Sequence, residues 1–233
     1  MRHLGKSLVM TPVATLRTPF AEKFGVPRQS GIIAGAEGRV EFLPVFASPD
    51  FVRGLEAFSH VWLITGFHKN RDWDGAATVR PPRLGGNKRV GVFASRAPMR
   101  PNGLGLSLVE LLAIEPGVLR VGGIDCVDGT PVYDIKPYLP YCEAKSEARA
   151  DWAASAPTMR SVDDVLMTKE VAEKLPPEVC MLAQQVLTLD LEPAYQKDKT
   201  PTRTYGVTLA GWNLRWQFTK ADQVEIYEAT RVD

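Results

Sequence analysis

The sequence has few of the side chains that form disulfide bonds or hold metal ions. It contains 3 cysteines and 3 histidines in 233 residues. Cys126, Cys142 and Cys180 are odd in number, far apart and free of any CxxC pair, and the histidines lack HExxH spacing. A disulfide framework needs paired cysteines, and a structural zinc site needs closely spaced ligands. The sequence therefore predicts neither disulfides nor a bound metal.

Long hydrophobic runs are also missing. The longest apolar stretch, from Val61 to Phe67, is far shorter than the roughly 20 residues of a membrane-spanning helix. Near the N-terminus, Thr11, Pro12 and Arg17 interrupt the apolar residues, so no signal-peptide core forms. We therefore expect a cytosolic protein without a membrane partner.

Acidic residues are absent from one long segment, although the net charge of the chain is only +1. Between Gly75 and Val109 there is no Asp or Glu, and the basic residues there are Arg80, Arg83, Lys88, Arg89, Arg96 and Arg100. A segment with one sign of charge in a nearly neutral protein indicates a local anion-binding surface. On charge alone, a solvated basic loop explains the segment equally well.

The first two-thirds of the chain consist of short apolar runs rich in branched and aromatic residues. Gly and Pro clusters separate these runs at intervals typical of a β-barrel or sandwich. The predicted strands include Val13–Leu16, Val40–Val45, Val61–Phe67, Val90–Ala94, Leu106–Leu112, Val118–Ile124 and Val132–Ile135. Ser48, Pro49 and Asp50 are typical of a helix start, so we expect a short helix over Phe51–Phe58.

The composition changes after Pro140, where small and charged residues replace large apolar ones. Two helices are predicted beyond this segment, from Ser161 to about Leu175 and from Pro176 to about Leu189. Three strands are predicted at the end: Tyr205–Leu209, Asn213–Phe218 and Val224–Tyr227. The pattern indicates a mainly β fold, with a β-barrel domain over residues 1–155 and a small α+β domain over residues 156–233.

The glycine patterns argue against a nucleotide-binding α/β fold. A Rossmann-type enzyme needs alternating strands and helices, with a glycine-rich turn after the first strand. Gly103 and Gly105 lack a third glycine in register, and the segment 85–89 lacks the Gly-Lys-Ser/Thr ending of a phosphate loop. The sequence therefore predicts a fold that is not of the Rossmann type.

Polar side chains, glycines and prolines are concentrated in four segments: 23–31, 80–87, 96–103 and 128–138. Proline and glycine restrict or open the backbone, so arginines between them are held in defined positions at little entropic cost. The combination in four segments favours a binding site over ordinary turns with solvated arginines.

These segments resemble the TrmO (TsaA-like) family of tRNA methyltransferases. The resemblance rests on the strings VPRQSG, VRGLEAFSHVWLI, RPPRLGG, VGVFASR, RPNGLGLSLVEL and DGTPVYDIKPYLP. It extends from about Val13 to Tyr141 and reappears between Tyr205 and Trp216. The resemblance implies a dimeric enzyme with an S-adenosylmethionine-binding barrel. It implies N6-methylation of N6-threonylcarbamoyladenosine, immediately 3′ of the anticodon, in a threonine tRNA.

The expected cofactor site combines residue chemistry with the resemblance. S-adenosylmethionine needs an anion partner, hydrogen-bonding groups and an apolar slot. Arg28 and Gln29, held by Pro27, supply polar donors. The resemblance places further residues around the cofactor: His68, Lys69, Arg96, Leu106, Asp128, Gly129, Thr130 and Pro131. The alternative interpretation of His68 is a histidine buried in the core. The alternative for Leu106 is a side chain that packs inside the barrel.

The expected catalytic residues are Asp134, Tyr138 and Lys136. Methyl transfer from a sulfonium depends mainly on positioning and electrostatics, but a base that removes the N–H proton would activate the acceptor nitrogen. Asp134 is the first candidate for this base, Tyr138 for orienting it, and Lys136 for stabilising the developing anion. A turn-capping role is the alternative for both Asp128 and Asp134.

The basic segment supplies the expected RNA contacts. The phosphate-binding candidates are Arg80, Arg83, Lys88, Arg89 and Arg100. Tyr133, Tyr138 and Trp212 are possible stacking faces, although aromatic side chains more often lie in the core. Two other functions stay open: a methyltransferase for a small molecule on the same barrel, and a non-catalytic RNA-binding barrel.

Overall fold

The computed structural model describes residues 9–70, 72–189, 191, 203–220 and 222–232. The described strands, in chain order, are β1 Ala14–Arg17, β2 Gly38–Phe42, β3 His60–Gly66, β4 Thr78–Val79, β5 Val90–Gly91, β6 Leu104–Glu115, β7 Val118–Gly122, β8 Thr130–Pro137, β9 Val165–Met167, β10 Thr204–Leu209, β11 Trp212–Phe218 and β12 Val224–Arg231. The α-helices are α1 Pro140–Glu143, α2 Lys169–Lys174 and α3 Pro177–Thr188. The predicted mainly β fold is confirmed.

Six strands close into a barrel in the order β1-β2-β7-β6-β3-β8, and all neighbours are antiparallel. Alternation along the strands explains why these residues form a barrel. In β3, Val61, Leu63 and Thr65 are fully buried in the interior, whereas Trp62 and Ile64 face outwards and are half-buried. Strands β4 and β5 form a separate two-stranded hairpin.

The expected helix over Phe51–Phe58 is wrong. The chain forms two short 3-10 turns instead, Pro49–Val52 and Leu55–Ala57. Ser48 does cap the first turn, because its hydroxyl accepts a hydrogen bond from the backbone N–H of Asp50 at 3.4 Å. Gly54 then adopts a left-handed conformation, with φ of 87°, and this interrupts the helix.

The expected helix from Ser161 to Leu175 is wrong over its first part. Val165–Met167 extends as β9 and pairs in parallel with β12, so sheet pairing overrides the local helix signal. The helix α2 begins only at Lys169, where the Thr168 hydroxyl accepts a hydrogen bond from the backbone N–H of Val171 at 3.4 Å. The second predicted helix is present as α3.

The C-terminal part is a four-stranded sheet in the order β10-β11-β12-β9, packed against α2 and α3. Its strands bury Trp216, Leu214, Ile226 and Leu209 completely. Within the described ranges, no helix has the length and apolarity needed to cross a membrane.

The β1–β2 loop, residues 18–37, lies between the barrel and the C-terminal sheet. Its Phe20 is fully buried and bridges to Leu209, and the backbone N–H of Ala210 donates to the carbonyl of Pro19 at 2.7 Å. The N–H of Gly35 donates to the side chain of Gln185 on α3 at 2.9 Å. One buried core joins the two parts, so the division near residue 155 stays a prediction.

We predict that Gly25→Ala destabilises the protein more than Gly54→Ala. Both glycines have positive φ, 88° and 87°, so an alanine at either position costs about 1–2 kcal/mol. A Cβ at Gly25 would lie 2.6 Å from a methyl group of Val207, whereas a Cβ at Gly54 meets nothing within 4 Å. Overpacking therefore raises the cost at Gly25 to about 2–4 kcal/mol.

Thermal unfolding of the two variants, followed by circular dichroism, measures this difference. Gly54→Ala serves as the control for the backbone penalty alone. Equal melting temperatures for both variants would contradict tight packing between the β1–β2 loop and the C-terminal sheet.

Candidate functional site

Four loops that carry predicted cofactor residues meet around one end of the barrel. The first is the β1–β2 loop, where Pro27 is buried, Arg28 is exposed and Gln29 is half-buried. The backbone N–H of Gly31 donates to the carbonyl of Gly123 at 2.8 Å and so fixes this loop to the end of β7. The side chains of Arg28 and Gln29 therefore start from an anchored backbone.

The second loop, residues 95–103, leads into β6. The guanidinium of Arg96 donates to the side-chain oxygen of Gln29 at 2.5 Å. Arg100 donates to the carbonyl of Ser95 at 3.3 Å, which braces the same loop internally. The structure thus brings the predicted residues Gln29 and Arg96 into direct contact although they are far apart in the sequence.

The third loop follows β3 and carries His68 and Lys69. His68 is exposed, so the core-histidine interpretation is wrong. Its Nδ1 lies 3.5 Å from the hydroxyl of Thr130. Partial burial, followed by the charge of Lys69, lowers the pKa of His68, so the imidazole is neutral at neutral pH. Lys69 donates to the carbonyl of Ala21 at 2.6 Å and ties this loop to the β1–β2 loop.

The fourth loop is the turn Asp128–Pro131, which leads into β8. One carboxylate oxygen of Asp128 accepts the backbone N–H of Thr18 at 2.9 Å, and the other lies 3.7 Å from the guanidinium of Arg17. The carboxylate therefore caps the start of the β1–β2 loop, as in the turn-capping alternative. Gly129 and Thr130 lie beside His68.

The predicted catalytic residues lie on the outer surface of the barrel, on the same face as Leu106. In the strand register, Ile64 pairs with Leu106 on one side and with Asp134 on the other. Paired residues in a sheet point to the same face, and adjacent strands are about 4.8 Å apart. Leu106 and Asp134 therefore share one row of side chains, separated only by Ile64. Leu106 is exposed, so barrel core is the wrong interpretation for it.

Asp134 has two close partners within its own strand. One carboxylate oxygen accepts the backbone N–H of Ile135 at 2.9 Å, and the other lies 3.0 Å from the ammonium of Lys136. Both charged side chains are about half exposed. The arrangement gives an oriented carboxylate with a cation beside it on an accessible surface.

Tyr138 belongs to an aromatic cluster next to this pair. Its ring meets those of Trp62 and His60 edge to face, with centroids 6.1 and 6.4 Å apart. The indole N–H of Trp62 donates to the carboxylate of Glu143 on α1 at 2.9 Å. The sequence did not identify Trp62 or Glu143 as site residues, because their contact joins an outward strand position to a short helix. The available signal was the alternation of Trp62 with buried Val61 and Leu63, which indicates that Trp62 faces outwards.

Four of the five predicted phosphate-binding residues lie on the β4–β5 hairpin, and all four are exposed: Arg80, Arg83, Lys88 and Arg89. Arg83 donates to the carbonyl of Ser155 at 2.7 Å, and Arg89 to the hydroxyl of Thr78 at 3.1 Å. The fifth residue, Arg100, is half-buried in the loop before β6.

Trp212 is not a stacking platform. Its side chain is buried in the C-terminal sheet, and the guanidinium of Arg231 lies 5.3 Å from its ring centroid. Tyr133 instead lies at the surface, where its ring packs over Gly66. Among the residues that the structure describes, no group of three or more His, Cys, Asp or Glu side chains has a metal-binding arrangement.

Comparisons with known proteins place this geometry in a family. Two family models match the chain in tandem: the tRNA-methyltransferase O N-terminal domain over residues 15–144 and the TrmO C-terminal domain over residues 162–232. The tRNA (adenine(37)-N6)-methyltransferase of Escherichia coli (strain K12) is 44% identical over 219 residues, which cover 90% of this chain and 92% of that protein.

A curated sequence and a solved structure from Pseudomonas aeruginosa extend the similarity. One, whose name includes the words S-adenosylmethionine-dependent methyltransferase, is 41% identical over 228 residues, covering 96% of this chain and 98% of that protein. The other is a crystal structure of TrmO, which matches with a TM-score of 0.80 at 34% identity and covers 97% of this chain and 99% of that chain. Because sequence and fold both match over nearly the whole length, the chain belongs to the TrmO family.

Proposed function

We propose that the protein is an S-adenosylmethionine-dependent tRNA methyltransferase that methylates N6 of N6-threonylcarbamoyladenosine at position 37, next to the anticodon of a threonine tRNA. The name of the Escherichia coli relative supports the reaction and the position. The structural observation that carries the proposal is the shared row of Leu106, Ile64 and Asp134. It puts a proposed base and a proposed cofactor contact on one accessible face.

The residues at the end of the barrel fit S-adenosylmethionine. Arg28 and Arg96 offer cationic donors for a carboxylate, and Leu106 offers an exposed apolar surface for the adenine. His68 offers an exposed hydrogen-bonding group for the ribose, whereas Thr130 beside it is buried and donates its hydroxyl to the carbonyl of Val127 at 2.6 Å. When bound, the cofactor supplies an electrophilic methyl group on a positively charged sulfur.

Asp134 acts as the proton acceptor in the proposed mechanism. As the acceptor nitrogen takes the methyl group that the bound cofactor would supply, its N–H proton would pass to the Asp134 carboxylate. Lys136, 3.0 Å from this carboxylate, stabilises negative charge on the carbonyl next to the nitrogen. Tyr138, held against Trp62, lies two positions beyond Lys136 on the same face; about 13 Å of extended chain separates it from Asp134, so in this proposal its ring contacts the bound acceptor and not the base.

The β4–β5 hairpin and Arg100 bind the tRNA backbone in this proposal. Exposed guanidinium and ammonium groups neutralise phosphates, while Tyr133 and Tyr138 offer half-buried rings for an unstacked loop base.

We also propose a cytosolic homodimer, since the tRNA substrate is cytosolic and a second copy would cover the exposed side chains of Leu104 and Leu106.

We predict methyl transfer from labelled S-adenosylmethionine to a threonine tRNA that carries threonylcarbamoyladenosine, and none to the same tRNA without that modification. The measurement is incorporation of label into each purified tRNA. Equal labelling of the free modified nucleoside would favour a small-molecule methyltransferase. No labelling and no rise in melting temperature with S-adenosylmethionine would favour a non-catalytic RNA-binding barrel.

We predict that Asp134→Asn lowers kcat about 100- to 10,000-fold at saturating tRNA and cofactor, because the amide cannot accept the proton. Glu110→Gln is the matched control, since this exposed carboxylate lies on the same outer face of the barrel, paired with His60. Single-turnover methylation rates measure the effect. Normal turnover by Asp134→Asn would remove Asp134 from the role of base.

We predict that the double variant Arg80→Ala/Lys88→Ala binds tRNA less tightly and with a weaker salt dependence. Losing two phosphate contacts lowers the slope of log affinity against log salt by about 1.4 for a single-stranded loop. Lys169→Ala/Lys220→Ala removes the same charge from the exposed surface of the C-terminal part and serves as the control. An unchanged slope in the first variant would contradict RNA binding by the hairpin.

A further inference from the structure

The carboxyl group of Asp125 lies where three of the loops described above come together. The hydroxyl of Ser107 donates to it at 2.5 Å, and the backbone of Ser30 lies close enough to lower its pKa. Ser30 directly follows Gln29, Ser107 directly follows Leu106, and Asp125 itself precedes the Asp128–Pro131 turn. One side chain thus connects three segments that carry proposed cofactor contacts.

Asp125 is half-buried, and the groups that offset its burial are neutral hydrogen-bond donors. Cys126 is the titratable side chain that lies against it, with the sulfur 3.7 Å from the same carboxylate oxygen. Burial raises the pKa of the Cys126 thiol to about 12, so the thiol stays neutral and contributes only a weak donor. Hydrogen bonds from Ser107 and Cys126 therefore stabilise the charged carboxylate.

Burial also raises the pKa of Asp125, and this shift makes the stability of the protein depend on pH. A carboxyl group whose pKa is higher in the folded protein than in the unfolded chain binds its proton more tightly when folded. The folded protein consequently loses stability as the pH rises through this pKa. An uncharged isostere such as asparagine would remove the desolvation penalty and keep an oxygen acceptor. Stability therefore gives no reason for a carboxylate here.

We propose that Asp125 is a positioning residue for cofactor binding, whose carboxylate holds Gln29 and Leu106 at the distance that S-adenosylmethionine requires. Its hydrogen bonds to charged oxygen are stronger and more directional than those to an amide. The proposal rests on the proposed function, because it takes the segments around Gln29 and Leu106 as the cofactor site.

The test is Asp125→Asn, measured by calorimetric titration with S-adenosylmethionine and with S-adenosylhomocysteine. We expect both dissociation constants to rise by the same factor, about tenfold, because the charged hydrogen bonds become neutral ones. The melting temperature should be unchanged or higher, and kcat at saturating cofactor should stay within about threefold of wild type. Asp163→Asn removes an exposed carboxylate from the C-terminal part; it is the control and should change nothing.

Each remaining outcome has a distinct meaning. Unchanged affinity in Asp125→Asn overturns the proposal. Weaker binding of S-adenosylmethionine alone also overturns it, because only this ligand carries a positive sulfur, and the carboxylate would then act by direct charge attraction. A fall in melting temperature that parallels the fall in affinity assigns Asp125 a purely structural role.

Two further measurements separate this inference from the proposed function. Arg28→Ala/Gln29→Ala should weaken cofactor binding; if it does not, the proposed cofactor site is wrong, whatever Asp125→Asn does. If it does and Asp125→Asn does not, only the role of Asp125 is wrong.

The affinity of the wild-type protein for S-adenosylmethionine should fall as the pH is lowered and Asp125 becomes protonated. The Asp125→Asn variant should lose this pH dependence.

Discussion

The register of β3 is the constraint on which the rest of the site depends. This strand pairs on both edges, with β6 and with β8, and its inward residues are fully buried. A shift of one residue would move every buried side chain to the surface, so burial strongly specifies the register. Ile64 consequently faces outwards, and its partners Leu106 and Asp134 face outwards with it. The irregularity between Ile64 and Thr65 also frees Tyr133 to lie over Gly66.

The β1–β2 loop is held in place although it contains no helix or long strand. Barrel residues fix one side of it, through Asp128 with Thr18 and Gly123 with Gly31. The C-terminal sheet fixes the other side, where Val207 packs against Gly25. Backbone groups of a loop must find partners when they are buried, and here two packed units supply them. The C-terminal part therefore shapes the proposed cofactor site without contributing one of its predicted side chains.

Much of the fold was predictable from the sequence. Apolar alternation identified the barrel strands because one face of each is buried, and the motif strings identified the loops. The sequence did not reveal β9, because Val165–Met167 becomes a strand only through pairing with β12. It also did not reveal Asp125 or the contact of Trp62 with Glu143, because each depends on chain segments that only the fold brings together. The prediction of Trp212 as a stacking face was wrong because its side chain is buried in the C-terminal sheet.

The size of the barrel explains why the site lies outside it. With six strands the interior is narrow, and fully buried side chains pack it, among them Leu16, Val40, Leu63 and Leu119. A ligand can therefore bind only on the outer strands and on the loops at the rim. An outer surface is open to water, and Leu106 keeps 53% of its area exposed. Charge stabilisation by Lys136 weakens in water and strengthens when water is excluded. The proposed chemistry thus requires the bound tRNA, or a second copy of the chain, to cover the site and exclude water, because a single barrel leaves it open.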